Sequence, residues 1–259
     1  YSPEREDPAN NEYEYYEIPK LLGGTTNACT EIGKKIYEKV NYKVVTLSST
    51  KAAEMTKLLE NVYRAINIGL VNEMKALVDC FNIDLYEVIN AAATKPFGFK
   101  PFYPGPGVGG HCIAVDPWFV INSAPSQSKI IKKARKINDD MPNQIIKKIK
   151  KISSKDNLNL KEIEIACLGL SFKPDIDDLR GAPAIKVFGA LKEAGYSTVA
   201  VEPNIKSYED FELVPLDKSF ETADLHVILV RHREFLDPFT VDKLKQIGAL
   251  DFCGALSVV

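Results

Sequence analysis

A helical pattern that runs without a proline from Ser49 or Thr50 to about Cys80 is the strongest constraint on how this chain can fold. Either hydroxyl residue can cap its start, and at ~1.5 Å per residue the helix is roughly 45 Å long, more than one small domain needs. Helices of that length bridge domains or carry a dimer interface. In front of it lie an apolar run, Ile18 to Gly24, a helix-like stretch near Thr30 to Val40, and a strand, Lys43 to Leu47, which is β-α-β grammar. Behind it Asp84 is placed to cap a second helix through Ala93, and residues 94–117 form a loop dense in proline, glycine and aromatics. A Lys-rich helical stretch follows from Lys129 to Lys155, with an apolar stripe of Ile130, Ile131, Ile137, Ile145, Ile146 and Ile149. Its charges read as the solvated side of an amphipathic helix rather than as a nucleic-acid patch.

Past the polar run Ser153 to Asn157, which reads as a boundary, strands Ile163 to Gly169, Thr198 to Val201 and Leu225 to Val230 alternate with a helix from about Pro183 to Ala194. Near-continuous apolar strands alternating with helices predict a parallel sheet covered on both faces. The expected class is therefore α/β, divided into an α/β portion over 1–48, a helical portion over 49–153 and a doubly wound domain over 154–259.

Two units suit a chain of 259 residues, and 45% hydrophobic with 26% charged content is that of a globular protein. The net charge of -2 points to no bulk polyanion, and no window reaches the roughly 18 apolar residues of a membrane span. With no signal peptide pattern, a cytoplasmic location is expected. The five cysteines, at 29, 80, 112, 167 and 253, include no C-x-x-C pair, which argues against a disulfide framework and a zinc site. Four sit in apolar or helical contexts and read as small buried hydrophobes. The chain opens Tyr-Ser-Pro-Glu-Arg without an initiating Met and reads as the remainder of something longer.

Cys112 is the exception among the cysteines, because it ends the segment Pro104-Gly105-Pro106-Gly107-Val108-Gly109-Gly110-His111-Cys112. Glycines at 107, 109 and 110 free the backbone to take positive φ and to bring N–H groups toward a ligand, while the prolines stiffen the loop. A thiol directly after such a loop, close to a helix start, is a candidate nucleophile for a carbonyl carbon. His111 and Asp116 flank it, and Asp116 could orient a water or act as a base. On the long helix Lys57, Asn61 and Arg64 fall at i, i+4 and i+7, one stripe that could stabilise a developing oxyanion or simply face solvent. After the first strand of the last domain, Lys173 and Arg180 stand where open α/β sheets bind ligands. Gly169 opens no G-x-G-x-x-G, so dinucleotide binding there lacks its fingerprint.

Four stretches, in order and spanning nearly the whole chain, resemble the UDP-sugar 6-dehydrogenases, the family that acts on UDP-glucose and UDP-N-acetylmannosamine. They are Ser2-Pro3-Glu4-Arg5, Lys57 to Asn61, Gly105 to Pro117 and Phe172 to Arg180. The form Gly-His-Cys-Ile-x-Val-Asp-Pro, with Val115 where the glucose branch has Lys, looks like the N-acetylmannosamine branch. The resemblance implies two NAD-dependent oxidations of the sugar C6 hydroxyl through a thiohemiacetal and a thioester on Cys112. It further implies that Lys57 stabilises the oxyanion, that Asn61 and Asp116 position substrate or water, and that Glu4 lies near the hydrolytic water. Arg5, Arg64, Gly105, Gly107, Gly109, Gly110, His111 and Lys173 would bind the UDP-sugar, Arg180 would reach the cofactor, and the long helix would form a homodimer.

Two departures qualify this. Lys95-Pro96-Phe97 stands where the branch carries His-Pro-Arg, and no G-x-G-x-x-G precedes the first strand, so residues 1–48 read as the tail of an NAD-binding Rossmann domain. The chain by itself is expected to hold the sugar nucleotide but to have little dehydrogenase activity. Alternatives are a non-catalytic UDP-sugar-binding or dimerisation module, a dehydrogenase of another UDP-hexose, and a cysteine hydrolase, which would want a His partner, whereas His111 is adjacent in sequence and His226 and His232 lie in the last domain.

Overall fold

The computed structural model describes residues 1–7, 12–41, 43–153 and 163–257. They fall into two compact units, Tyr1–Arg64 and Ala65–Val259.

In the first unit β1 (Lys20–Gly23) and β2 (Val44–Leu47) pair in parallel, joined by α1 (Asn27–Tyr37). The N-terminal residues run beside β1, where Ser2 Oγ donates to the Leu21 carbonyl at 2.6 Å and Gly23 N–H donates to the Tyr1 carbonyl. Helix α1 starts earlier than its apolar pattern suggests because Thr26 is the cap, its Oγ1 accepting the Cys29 N–H at 3.2 Å. Helix α2 (Thr50–Asp79) is the long proline-free helix, with the expected bounds.

The second unit adds α3 (Leu85–Ala93), capped by Asp84 as expected, then α4 (Cys112–Ser123) and α5 (Lys129–Ser153). It continues with β3 (Glu164–Leu168), α6 (Pro183–Glu193), β4 (Ser197–Val201), α7 (Leu216–Thr222), β5 (Leu225–Ile228), α8 (Pro238–Gln246) and β6 (Leu250–Asp251). The sheet is parallel throughout, in the order β4-β3-β5-β6. Alternate residues of β3 serve opposite faces. Ile165 and Cys167 pack with Ile145 and Ile149 of α5 and with Val187 and Leu191 of α6, whereas Ala166 and Leu168 pack with Phe235 and with Leu244 of α8. That is the doubly wound α/β arrangement the apolar strands predict. Each fully buried Ile or Leu contributes about 1.5–3 kcal/mol, so the first cluster alone anchors α5 to the sheet.

Several details differ from the sequence expectations. The compact units divide within α2, and α5 contributes to the core of the sheet. Of the boundary run, the residues after Ser153 lie outside the described residues. The loop expected to reach residue 117 ends at Cys112, and Pro117 sits inside α4, where it forfeits the bond its N–H would give to the Ile113 carbonyl. On α5 the buried stripe runs through Ala134, Arg135, Asn138, Met141, Pro142, Ile145 and Ile149, while Ile130 is exposed. The stripe was disguised because two of its members are polar. Lys148 on the basic side is spent on Asp79 at 3.2 Å and on the face of Phe252.

The cysteines are all free thiols, but Cys29 and Cys80 are exposed rather than buried. Helix α1 buries none of its described residues, and Cys80 lies just past the end of α2. Cys167 is the buried hydrophobe expected, its thiol pushed up to about 12 by desolvation. No helix among the described residues is long and apolar enough to cross a membrane.

Candidate active site

The glycine loop and Cys112 belong to the second unit, and the structure shows what the glycines do. Gly107 and Gly110 take φ of +127° and +75°, conformations that L side chains rarely adopt. A Cβ on Gly107 would stand 2.7 Å from the Asn138 carbonyl oxygen, and one on Gly109 would meet Pro183, Phe172 and the Gly181 carbonyl between 2.7 and 2.9 Å. One on Gly110 would touch the Phe172 ring at 3.0 Å. The loop is therefore pressed between α5 and the 172–183 segment that follows β3. Gly105 differs: a Cβ there would meet nothing within 4 Å, and its backbone N–H is what the fold uses.

That N–H donates to Asn72 Oδ1 at 3.0 Å. Asn72 Nδ2 donates in turn to Asn138 Oδ1 at 2.9 Å, and Asn138 Nδ2 to the Ala65 carbonyl at 2.9 Å. Both side chains are 1% exposed. This chain of hydrogen bonds ties α2, α5 and the start of the glycine loop together at fully buried polar atoms, where each bond is costly to break. The sequence reading missed both asparagines. Asn138 lies one turn from Ala134 and Met141 on the buried face, a position that a count of apolar residues skips.

Cys112 is the first residue of α4 and is exposed. Asp116 follows one turn later, so the two share a face of α4. His111 takes the helix N-cap without a side-chain cap bond. Across the loop, Phe172 N–H donates to the Asp178 carbonyl, and Arg180 turns its Nε and Nη2 onto the Asp178 carboxylate at 2.6–3.0 Å. Arg180 holds that carboxyl below the usual range, with the nearby His111 a weaker contributor. Arg180 remains mostly exposed, and this ion pair lies within its own loop.

The other candidates lie in the first unit. Arg5 donates Nε to Glu60 Oε1 at 3.0 Å and Nη1 to the Pro19 carbonyl at 2.7 Å, bracing the N-terminal segment against α2. Glu4 pairs with Lys20 at 3.0 Å, and its carboxyl is held at about 2, first by the Glu6 backbone N–H. On the stripe of α2, Arg64 is exposed, Lys57 half-buried and Asn61 buried.

The two histidines a hydrolase would recruit are committed elsewhere. His226 is buried on β5, stacked on Phe220 and 3.3 Å from Ser219 Oγ, and burial lowers its pKa. His232 is engaged with Glu202 at 3.0 Å.

Among the described residues, the sheet of the second unit does not offer a dinucleotide the acidic group it needs. In dinucleotide-binding sheets an acidic residue at the end of the second strand takes a ribose hydroxyl. Glu202 occupies that place after β4, but its Oε2 accepts the Leu170 and Ser171 N–H groups and faces His232, while its Oε1 accepts the Asn204 N–H. Nothing remains for a ribose.

Comparison with known proteins defines the class. Residues 51–140 match the UDP-glucose/GDP-mannose dehydrogenase family, central domain, and residues 166–252 match the UDP binding domain of the same family. The chain belongs to the UDP-glucose/GDP-mannose dehydrogenase family. It is 42% identical over 245 residues to a UDP-N-acetyl-D-mannosamine dehydrogenase of Campylobacter jejuni, covering 92% of this chain and 59% of that protein. It is 37% identical to an NDP-N-acetyl-D-galactosaminuronic acid dehydrogenase of Ralstonia solanacearum, covering 99% and 60% respectively. Among solved structures, a UDP-D-ManNAc dehydrogenase from Pyrococcus horikoshii superposes with a TM-score of 0.86 at 30% identity, over 98% of this chain and 60% of that one. The chain thus spans about three fifths of the length of these relatives.

Proposed function

We propose that the protein oxidises the C6 hydroxyl of UDP-N-acetyl-D-mannosamine to the uronate, with Cys112 as nucleophile. The observation that carries this reading is the exposed Cys112 thiol at the head of α4, directly after a glycine loop held against the Lys173 segment. Attack of the thiol on a C6 aldehyde gives a thiohemiacetal, and loss of hydride from that carbon gives a thioester that water cleaves. NAD, on the family resemblance, is the hydride acceptor. Asp116, on the same face of α4, would orient the water, and Gly105, Gly107, Gly109, Gly110, His111 and Lys173 would hold the UDP-sugar. On the resemblance alone we assign Lys57 to the oxyanion, Asn61 and Glu4 to substrate or water, Arg5 and Arg64 to the substrate and Arg180 to the cofactor.

The sugar is favoured as N-acetylmannosamine by the Val115 form of the cysteine motif and by three relatives at 36–42% identity named UDP-N-acetyl-D-mannosamine dehydrogenase, although two others at 36–37% are named for N-acetyl-D-galactosaminuronic acid. A homodimer through α2 is supported by Leu59, Leu70 and Leu77, which fall within ~20° of one helical stripe yet are about half exposed or more. The test is turnover of UDP-N-acetylmannosamine, UDP-N-acetylglucosamine and UDP-glucose by the intact protein, followed by NADH release. A preference for UDP-N-acetylmannosamine is expected, and preferred oxidation of UDP-glucose would overturn the assignment. The 259-residue polypeptide alone is expected to bind UDP without reducing NAD.

A further inference from the structure

A buried carboxylate–imidazole pair sits at the carboxyl ends of the sheet strands, where no role has been given to it. Glu202 follows β4 and His232 follows β5, and both side chains are wholly buried, 3.0 Å apart. Their partners are not the core. Glu202 Oε2 accepts the N–H groups of Leu170 at 2.7 Å and Ser171 at 3.1 Å, the first residues of the segment that carries Lys173. His232 Nδ1 accepts the Asp175 N–H at 2.9 Å, two residues beyond Lys173, and Ser171 Oγ donates to the Lys173 carbonyl itself at 2.7 Å.

These bonds fix the histidine's state. Nδ1 must offer its lone pair to Asp175 N–H and to Asn204 Nδ2 at 3.0 Å, so the ring proton is on Nε2, pointing at Glu202 Oε2 and, at 3.4 Å, at Ser171 Oγ. Asp175 has φ of +60°, a strained conformation for a residue with a side chain. It is held there from both sides: its N–H by His232, and its Oδ1 by the Arg233 N–H at 2.9 Å. Arg233 adds an ion pair to Asp175, and Glu234 stands with Asp175 and His232 within 4.8 Å. A strained residue persists only where its surroundings over-determine it, and such strain gathers at ligand clamps.

We propose that Glu202 and His232 are positioning residues for the nucleotide-binding segment, holding Ser171 to Asp175 so that Lys173 and Phe172 are presented in one conformation before the UDP-sugar arrives. The pair touches no ligand and acts by removing the ordering cost of that segment. The proposal rests on the reading that Lys173 binds the sugar nucleotide.

The test is UDP affinity of the intact protein by titration calorimetry, with KM and kcat for the UDP-sugar measured alongside. Lys173→Ala is expected to weaken UDP binding, which checks the underlying reading. His232→Leu, which keeps the volume but removes the bonds to Asp175 N–H, Asn204, Glu202 and Ser171, is expected to weaken UDP about tenfold and to raise KM in step with little change in kcat. Asp175 is exposed, so its variants leave the core intact if His232→Leu fails to fold. Asp175→Ala is expected to cost about fivefold in affinity, and Asp175→Asn, which retains the acceptor for Arg233 N–H and tolerates positive φ, to restore it. Unchanged affinity in Lys173→Ala would sink the binding reading and the proposal with it. A weakened Lys173→Ala beside wild-type affinity in both His232→Leu and Asp175→Ala would overturn the positioning role alone.

Discussion

Replacing Asn72 by alanine removes the link between the glycine loop and the helices beneath it. The substitution strips the acceptor from Gly105 N–H and the donor from Asn138 Oδ1, the latter on a residue 1% exposed. Each lost bond costs about 1 kcal/mol net, and leaving buried Asn138 Oδ1 unpaired adds about 1–2 kcal/mol of desolvation, so the sum is about 3 kcal/mol. Asn72→Asp is a sharper probe, since it keeps the acceptor for Gly105 yet sets a carboxylate against Asn138 Oδ1, so it should be at least as damaging near neutral pH. Urea unfolding reads this directly, because the single tryptophan, Trp118, lies on α4, the helix that Cys112 opens. With a slope of about 2–3 kcal/mol per molar urea, the midpoint should fall by about 1 M. A midpoint within about 0.2 M of wild type in Asn72→Ala would refute the clamp.

Other consequences follow from the same structure. Gly109→Ala, whose Cβ would lie 2.7–2.9 Å from Pro183, Phe172 and the Gly181 carbonyl, should destabilise the second unit and weaken UDP binding, whereas Gly105→Ala, with open space, should be mild; equal effects in calorimetry would contradict the packing account. Burial lowers the His226 pKa below its unfolded 6.5, so the folded state resists the proton and stability should fall as pH drops through and below 6.5; a denaturation series should show that part of the slope removed in His226→Leu, and an unchanged slope would refute it. Thr26 Oγ1 donates to Cys29 Sγ and lowers that exposed thiol's pKa, so peptide mapping after brief alkylation should find Cys29 modified well ahead of buried Cys167, and more slowly in Thr26→Val; early labelling of Cys167 would contradict the burial.

The architecture was largely legible because it rests on periodicity. A proline-free stretch with a hydroxyl cap gave α2, and apolar strands between helices gave the parallel sheet. The parts that escaped were those in which polar residues do the work of apolar ones. Arg135 and Asn138 sit on the buried face of α5, and Pro117 inside α4, each against the residue type expected there. Helix α8 left a signal that went unused, Asp237 before Pro238, whose carboxylate caps the Thr240 N–H. Strand β6 is two residues long and carries no pattern at all.

In the site, motif spacing marked the glycine loop, Cys112 and Lys173, but not what fixes them. Asn72 is 33 residues from the glycine whose N–H it holds, and Glu202 is 32 and 31 residues from Leu170 and Ser171, whose N–H groups it accepts. Such contacts are set by tertiary packing, which one-dimensional spacing does not encode. Arg5 adds a contact that its motif does not encode, its donors bracing Glu60 and Pro19.

The central claim is that Cys112 carries the carbon under oxidation. The most direct measurement is product analysis of the intact protein and its Cys112→Ser variant with UDP-N-acetylmannosamine and NAD, counting NADH formed per sugar and resolving uronate from aldehyde. The account predicts two NADH per uronate for the wild type, and no uronate from Cys112→Ser with UDP affinity retained. Uronate formation by Cys112→Ser at the wild-type rate would contradict it.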